Sequence, residues 1–350
     1  MALGSLFSNV AAKLFGDAAA AGRPGTVEPE LVQIATEAIV EAVDPRLRVV
    51  SGYQRKIQPG VIRTIAHLRE LAKDLPQRPL ELSRGAWGTD QQLGAFFATA
   101  ADVPAALGRS AQLRAYFESP VNAGAAEAYA LLGMLKTERE VFAPALVDGA
   151  LRHDVAQTTV SFSAHTLIAP APDFMACRRA VGVLIFKRLA ALALERITAL
   201  GERATELDQR KALLGARLRL VNLRRDGLEQ VAGAADESAE MASLERELKA
   251  TGDEFAETRT RLATLDTRLE HVNAILNAPA EYVSITRVDL RVNKMGFKLA
   301  AGSSEPAADL KLSELAIGSG LKAVIALVRC QRAEMPPRES LIAKAAREIL

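Results

Sequence analysis

The chain has 350 residues, 49% of them hydrophobic and 25% charged, with a formal net charge of +2. That length accommodates two or three domains and a sizeable core. The near-neutral balance excludes a chain-wide electrostatic trap for nucleic acid, and 5% aromatic residues leave few platforms for stacking bases.

Residues 2–16 read as an amphipathic helix, with Leu3, Leu6, Phe7, Val10, Leu14 and Phe15 on one face, followed by an Ala/Gly linker over 17–25. Such a helix docks on its own protein, in a partner's groove or on a membrane surface. With Lys13 as its single cation, its attraction to anionic lipid is weak. The start of the chain lacks the positive region and long apolar core of a secretory signal. The most apolar run, Val181 to Leu194, is interrupted by Lys187 and Arg188. A cytoplasmic protein is expected, with peripheral membrane contact through residues 2–16 as the variant.

Residues 26–150 read as a helical domain. Thr26 and Pro29 open a helix bearing Leu31, Ile34, Ala35, Ala38 and Ile39, which breaks at Asp44-Pro45. A second helix follows Pro59 and ends before Pro76. Pro79 to Ser83 reads as a short strand or an extended link. Asp90, Asp102 and Ser110 are placed to cap three short helices, and a further helix is expected over 124–136, with Tyr129, Leu132 and Leu135 on it. The β-branched and hydroxyl residues of 155–168 read as a strand, ended by Pro170 and Pro172.

No proline occurs between Pro172 and Pro279. Within that interval Leu200, Leu207, Leu214, Val221 and Leu228 recur seven apart. Met241, Leu244, Leu248, Thr251, Phe255, Thr258, Leu262, Leu265, Leu269, Val272 and Leu276 follow at alternating spacings of three and four. This is the pattern of a coiled-coil seam. Gly227 and Gly233 weaken the helix between the two rows, so 173–278 is expected to fold back as an antiparallel hairpin with its tip near 229–238. The favoured register stacks Leu228 on Met241, Val221 on Leu248 and Leu214 on Phe255; a tighter one, shifted by a heptad, is the alternative. Opposite charges support the fold-back, with arginines on the first arm facing an acidic second arm.

Beyond the arm, Val288, Leu290 and Val292 alternate with Asp289 and Arg291 as a half-buried strand. Leu310, Leu312 and Leu315 lead to a Gly318-Ser319-Gly320 turn, Leu321 to Cys330 reads as a buried strand, and an amphipathic helix closes the chain. The fold class expected is mainly α with a smaller α+β part: a helical N-terminal domain, a split body from 151–172 and 279–350, and the hairpin inserted in that body.

The chemistry is sparse. His67, His153, His165 and His271 lie in four different elements without metal-ligand spacing. His153-Asp154 and His165 flank the 155–168 strand, which gives that pair a minor catalytic reading beside the structural one. No phosphate-binding loop, dinucleotide fingerprint or nucleophile elbow is present. Cys177 and Cys330 read as reduced core thiols. No catalytic, cofactor-binding or metal site is assigned. Interaction residues are expected at the arm tip (Arg224, Arg225, Asp236 and Glu237) and in a basic loop formed by Arg46, Arg48, Tyr53, Arg55 and Lys56, suited to an anionic ligand or partner. Trp87 reads as a buried anchor. The sequence favours a non-enzymatic interaction or scaffold protein that binds another protein through the hairpin, with nucleic acid disfavoured. Two other readings are a membrane-peripheral assembly factor anchored by residues 2–16 and an enzyme with a site between the helical domain and the β body.

Overall fold

The computed structural model describes residues 27–147, 150–225, 235–300, 303, 305–318 and 320–337, together with Val10, which is helical and buried. The rest of the 2–16 stretch, the linker, Thr26, residues 226–234 at the expected tip, and the closing helix lie outside the described residues. The fold is mainly α with an α+β part, as the sequence predicts. It divides into two compact units. Val27–Thr64 and Lys187–Ala278 belong to the first; Ile65–Phe186 and the chain from Pro279 onward belong to the second.

In the first unit, α1 (Pro29–Val43) starts on a proline at its first position and buries Leu31, Ala35, Ala38 and Ile39. It stops at Asp44, because the residue before a proline disfavours helical backbone. Asp44 then caps the 3-10 turn Pro45–Val49 by accepting from the Arg46 amide at 3.1 Å. Helix α2 (Tyr53–Asp74) begins earlier than the sequence predicts and carries Pro59 inside it. The expected basic loop is therefore a 3-10 turn followed by the first turn of a helix. Two helices of this unit, α8 (Ala235–Thr260) and α9 (Leu265–Asn277), form the returning arm. The rise from α2 to α9 is bridged by Thr64, whose Oγ1 donates to the Leu276 carbonyl at 3.0 Å, and by Asn273, whose Nδ2 donates to the Lys56 carbonyl at 3.1 Å. Gly60 permits this approach, since a Cβ there would lie 2.8 Å from Leu276 Cβ.

The second unit is built on a six-stranded sheet. The strands are β1 (Leu80–Leu82), β2 (Glu127–Val147), β3 (Ala150–Ala171), β4 (Val283–Val292), β5 (Ala308–Ile317) and β6 (Leu321–Gln331). Their order is β3-β2-β6-β5-β4, antiparallel throughout, with β1 added parallel to the end of β6. One face packs on four short helices: α3 (Arg84–Trp87), α4 (Gln91–Phe96), α5 (Asp102–Arg109) and α6 (Ala111–Glu118). Ala128, Ala130, Leu132 and Met134 of β2, with Val324, Ala326, Val328 and Cys330 of β6, meet Phe96, Phe97, Leu107, Leu113 and Phe117 there. Leu131, Leu315, Ile325 and Leu327, which alternate with that set, are buried too. The central strands are thus covered on both faces and need not alternate with polar residues.

The helix expected over 124–136 is strand β2 instead, and the 26–150 span is not all-helical. The run from Tyr129 to Leu135 is continuously apolar, with Ala130, Leu131, Leu132 and Met134 buried on the two faces and Leu135 exposed, and periodicity cannot then separate strand from helix. Its partner β3 was legible as a strand. Asp148-Gly149, a two-residue hairpin signal, lies between them in the sequence. The β2–β3 pairing runs from Tyr129↔Ala171 to Val147↔Ala150, whereas β6 accompanies β2 only to Met134. Two register shifts coincide with Ala164 and Ala169, each at φ 54°, the left-handed geometry of bulged positions.

Asp90 and Ser110 cap α4 and α6 as expected, while Ala101 occupies the cap of α5 and Asp102 accepts from Thr99. The longest element is α7 (Phe174–Arg225), 52 residues and about 78 Å of helix at 1.5 Å per residue.

The Gly60 contact yields a signed prediction. Gly60→Ala lowers stability by roughly 1–3 kcal/mol, outweighing the ~1 kcal/mol that alanine gains in helix propensity. Gly252→Ala, in α8 with nothing within 4 Å of the added Cβ, raises stability by up to about 1 kcal/mol. Urea midpoints followed by helicity measure both.

Candidate interaction surface on the helical arm

The arm forms as the sequence predicts, but in the tighter register. Leu214, Val221 and Leu244 bury together, with Leu218, Met241 and Leu248 packed on them. Leu244 touching this group places it level with Leu218, and places Met241 beside Val221 and Leu248 beside Leu214. Arg210 bonds Glu247 at 2.6 Å and Arg203 bonds Glu254 at 2.7 Å, pairs that the looser register would separate by several turns. The physical reason lies in the polar seam residues. The tighter register sets Lys211 level with Thr251 and leaves three consecutive apolar layers above them; the looser one would spend Leu218 against Thr251. Lys211 stays exposed, its Nζ 5.5 Å from the centre of the Phe255 ring.

The second arm is interrupted where the sequence predicts a continuous seam. Helix α8 ends at Thr260 and α9 starts at Leu265 on a reciprocal Thr264/Thr267 capping box. The His271 ring lies 3.1 Å from the carbonyl of Arg261 and satisfies it in the gap.

Register decides which residues face outward. On α7, Leu213, Ala216, Leu220 and Leu223 follow at spacings of three, four and three, all exposed. The leucines are 62%, 50% and 71% accessible, against 4% for the neighbouring seam residue Leu214. This is a second apolar row on the same helix. Its signal was present in the sequence, masked by the stronger seam beside it. Arg217, Arg219 and Arg224 flank the row, exposed and without a partner among the described residues.

The structure distributes the sequence-expected site residues unevenly. Arg224 is exposed at the end of α7, next to the leucine row. The side chains of Arg225, Asp236 and Glu237 lie outside the described residues. The other cluster comes together at the base of the arm, but among its own counter-charges. Arg46 and Arg268 both bond Asp44, at 2.9 and 3.1 Å. Arg48 bridges Glu37 at 3.1 Å and Glu41 at 2.7 Å. The Tyr53 hydroxyl donates to Glu37 at 2.6 Å, and Lys56 bonds Asp266 at 2.6 Å. Arg55 alone remains exposed and without a partner among the described residues. Burial would raise the Glu37 carboxyl, yet the hydrogen bonds from Tyr53, Arg48 and Gln54 hold it below the usual range. The hydrogen bond from Arg46, against a desolvation cost and with help from Arg268, does the same for Asp44.

Three histidines serve structure. The His67 ring lies 2.8 Å from the Val283 carbonyl. His165 lies 2.7 Å from the Phe96 carbonyl and stacks on Phe97 at 4.2 Å, and burial lowers its pKa. The side chain of His153 lies outside the described residues. Burial pushes the thiols of Cys177 and Cys330 up to about 12, so both stay protonated at neutral pH. Trp87, expected as a buried anchor, is half-buried and donates to the Phe97 carbonyl at 2.8 Å.

A cleft of about 690 Å³ opens in the second unit between α3–α4, β3 and the 292–296 turn. Of its polar side chains, Asp90 caps α4, Thr89 donates to the Ala86 carbonyl, and Asn293 accepts from the amides of Met295 and Phe297 while donating to Glu305. Among the described residues, no helix is long and apolar enough to cross a membrane. No protein-family model matches the chain, and no curated protein or solved structure with which it was compared does so.

The Asp44 network predicts a pH signature. Its carboxyl is depressed in the fold, so its contribution is present above the unfolded value of about 3.9 and is lost as pH falls through the lower folded value. Asp44→Asn therefore lowers the thermal midpoint at neutral pH, and the deficit closes below that range. Thermal melts of both proteins across acid pH check this.

Proposed function

We propose that the chain is a non-enzymatic interaction protein of the cytoplasm, a scaffold that binds protein through the flank of its helical arm. The observation that supports this most is the outward leucine row of α7. Soluble helices keep such positions polar unless something covers them. Here they recur at heptad spacing, beside arginines that have no partner among the described residues. A row of this geometry accepts an amphipathic helix whose own apolar residues repeat at the same interval and whose flanks are acidic. The basic cluster near α1 supports the reading from the other side, since its charges are largely consumed in holding the arm's base together. The cleft in the second unit supports a ligand less well, because Asp90 and Asn293 in its lining are occupied by capping and turn contacts.

Affinity capture with the full-length protein and with a Leu213→Gln/Leu220→Gln/Leu223→Gln variant tests the reading. The variant retains helicity, because all three positions are exposed, and loses its captured protein by about tenfold or more. An unchanged captured set overturns it.

A further inference from the structure

The flank described above is one side of a broad face that spans both helices of the arm, and the charges on it are sorted. Arg203, Arg210, Arg217 and Arg224 recur seven apart along α7; Glu240, Glu247 and Glu254 recur seven apart along α8. Arg203–Glu254 and Arg210–Glu247 are bonded rungs across the groove, so the arginine and glutamate edges lie on the same side of the hairpin. Leu213 and Leu220 sit three or four residues from these arginines and therefore lie just outside the basic edge. Ser243 and Ala250, both exposed, stand in the same relation to the glutamates, just outside the acidic edge. The face thus carries four parallel rows in the order leucine, arginine, glutamate, small residue.

We propose, resting on the reading of the arm as a binding surface, that the occupant of this face is a second copy of the chain. Two hairpins stacked face to face by a two-fold axis can meet in two ways. With the axis across the arm, α7 lies on α7 and the arginine rows oppose each other. With the axis along the arm, α7 of each copy lies antiparallel on α8 of the other, and the tips point the same way. That second arrangement places arginines over glutamates on both sides. It also places large side chains on small ones at matching heights. In the observed register Leu213 is level with Ala250 and Leu220 with Ser243, and rotation about an axis along the arm leaves those heights unchanged. Such self-complementarity is what an isologous interface requires. Arg217 and Glu240, which form no ion pair among the described residues, occupy the next rung and become available to the opposite copy.

Sedimentation of the purified full-length protein over a wide concentration range tests the proposal. The mass is expected to reach twice that of the chain and to return to the single-chain value in Leu213→Glu/Leu220→Glu. Ser243→Arg/Ala250→Arg, which alters only the small row on the other helix, is expected to give the same loss. Helicity by circular dichroism confirms that each variant is folded, and both sets are at exposed positions. A single-chain mass at every concentration overturns the proposal, as does a dimer that survives both variants. If the chain is monomeric while the leucine row still captures a different protein, the second copy is wrong and the binding role of the arm stands. If neither a dimer nor a captured protein depends on the row, both fail.

Discussion

The structure of the first unit depends on one constraint, the pairing of α7 with α8 in a single register. Each buried leucine of the seam contributes on the order of 1.5–3 kcal/mol, whereas an exposed Arg–Glu rung contributes about 0.2–1 kcal/mol. The leucines therefore hold the hairpin together and the charges select its orientation. Register is settled by where the polar seam residues fall. Putting Lys211 level with Thr251 and Thr258 level with the small Ala204 leaves Leu218 and Leu244 to each other. Once that choice is made, the facing edges, the ladder and the outward rows follow from helical geometry alone.

The base of the arm shows the same economy of charge in a different setting. Arg46, Arg48, Tyr53 and Lys56 form what a sequence reads as a binding patch. Asp44 is two residues from Arg46, but Glu37 and Glu41 lie on the preceding helix and Asp266 lies 210 residues from Lys56, so inspection of the sequence does not pair the cluster with them. Only when α1, the 3-10 turn, α2 and α9 are assembled does the cluster become an internal network. The arginines left over, Arg217, Arg219 and Arg224, are exposed, and no acid closes on them among the described residues. This contrast directs the functional reading away from the base and toward the flank of the arm.

Legibility followed periodicity. The seam, the fold-back, the Asp90 and Ser110 caps, the Asp44-Pro45 break and strands β3, β4 and β6 were readable because each carries a local pattern. Strand β2 was not: Tyr129 to Leu135 is apolar on both faces, and a run without alternation looks equally like a buried helix. The interruption at 261–264 was hidden because Leu262 and Leu265 keep the seam spacing across it, while the deciding signal is a threonine capping pair. The start of α2 was misplaced by Pro59, which lies in the second turn of the helix, beyond the first turn where proline is ordinarily found. The leucine row on α7 was present as a heptad and went unread because the larger seam accounted for the helix.

Disulfide trapping of the seam tests the central claim, the register, most directly. Leu218→Cys paired with Leu244→Cys is expected to cross-link rapidly on mild oxidation, whereas Leu218→Cys paired with Thr251→Cys is not. Both natural cysteines are buried and remain reduced. Peptide mapping of a 218–244 bridge would establish the register from which the outward face is derived. Preferential bridging of 218 to 251 would contradict it, along with every assignment of the arm's rows.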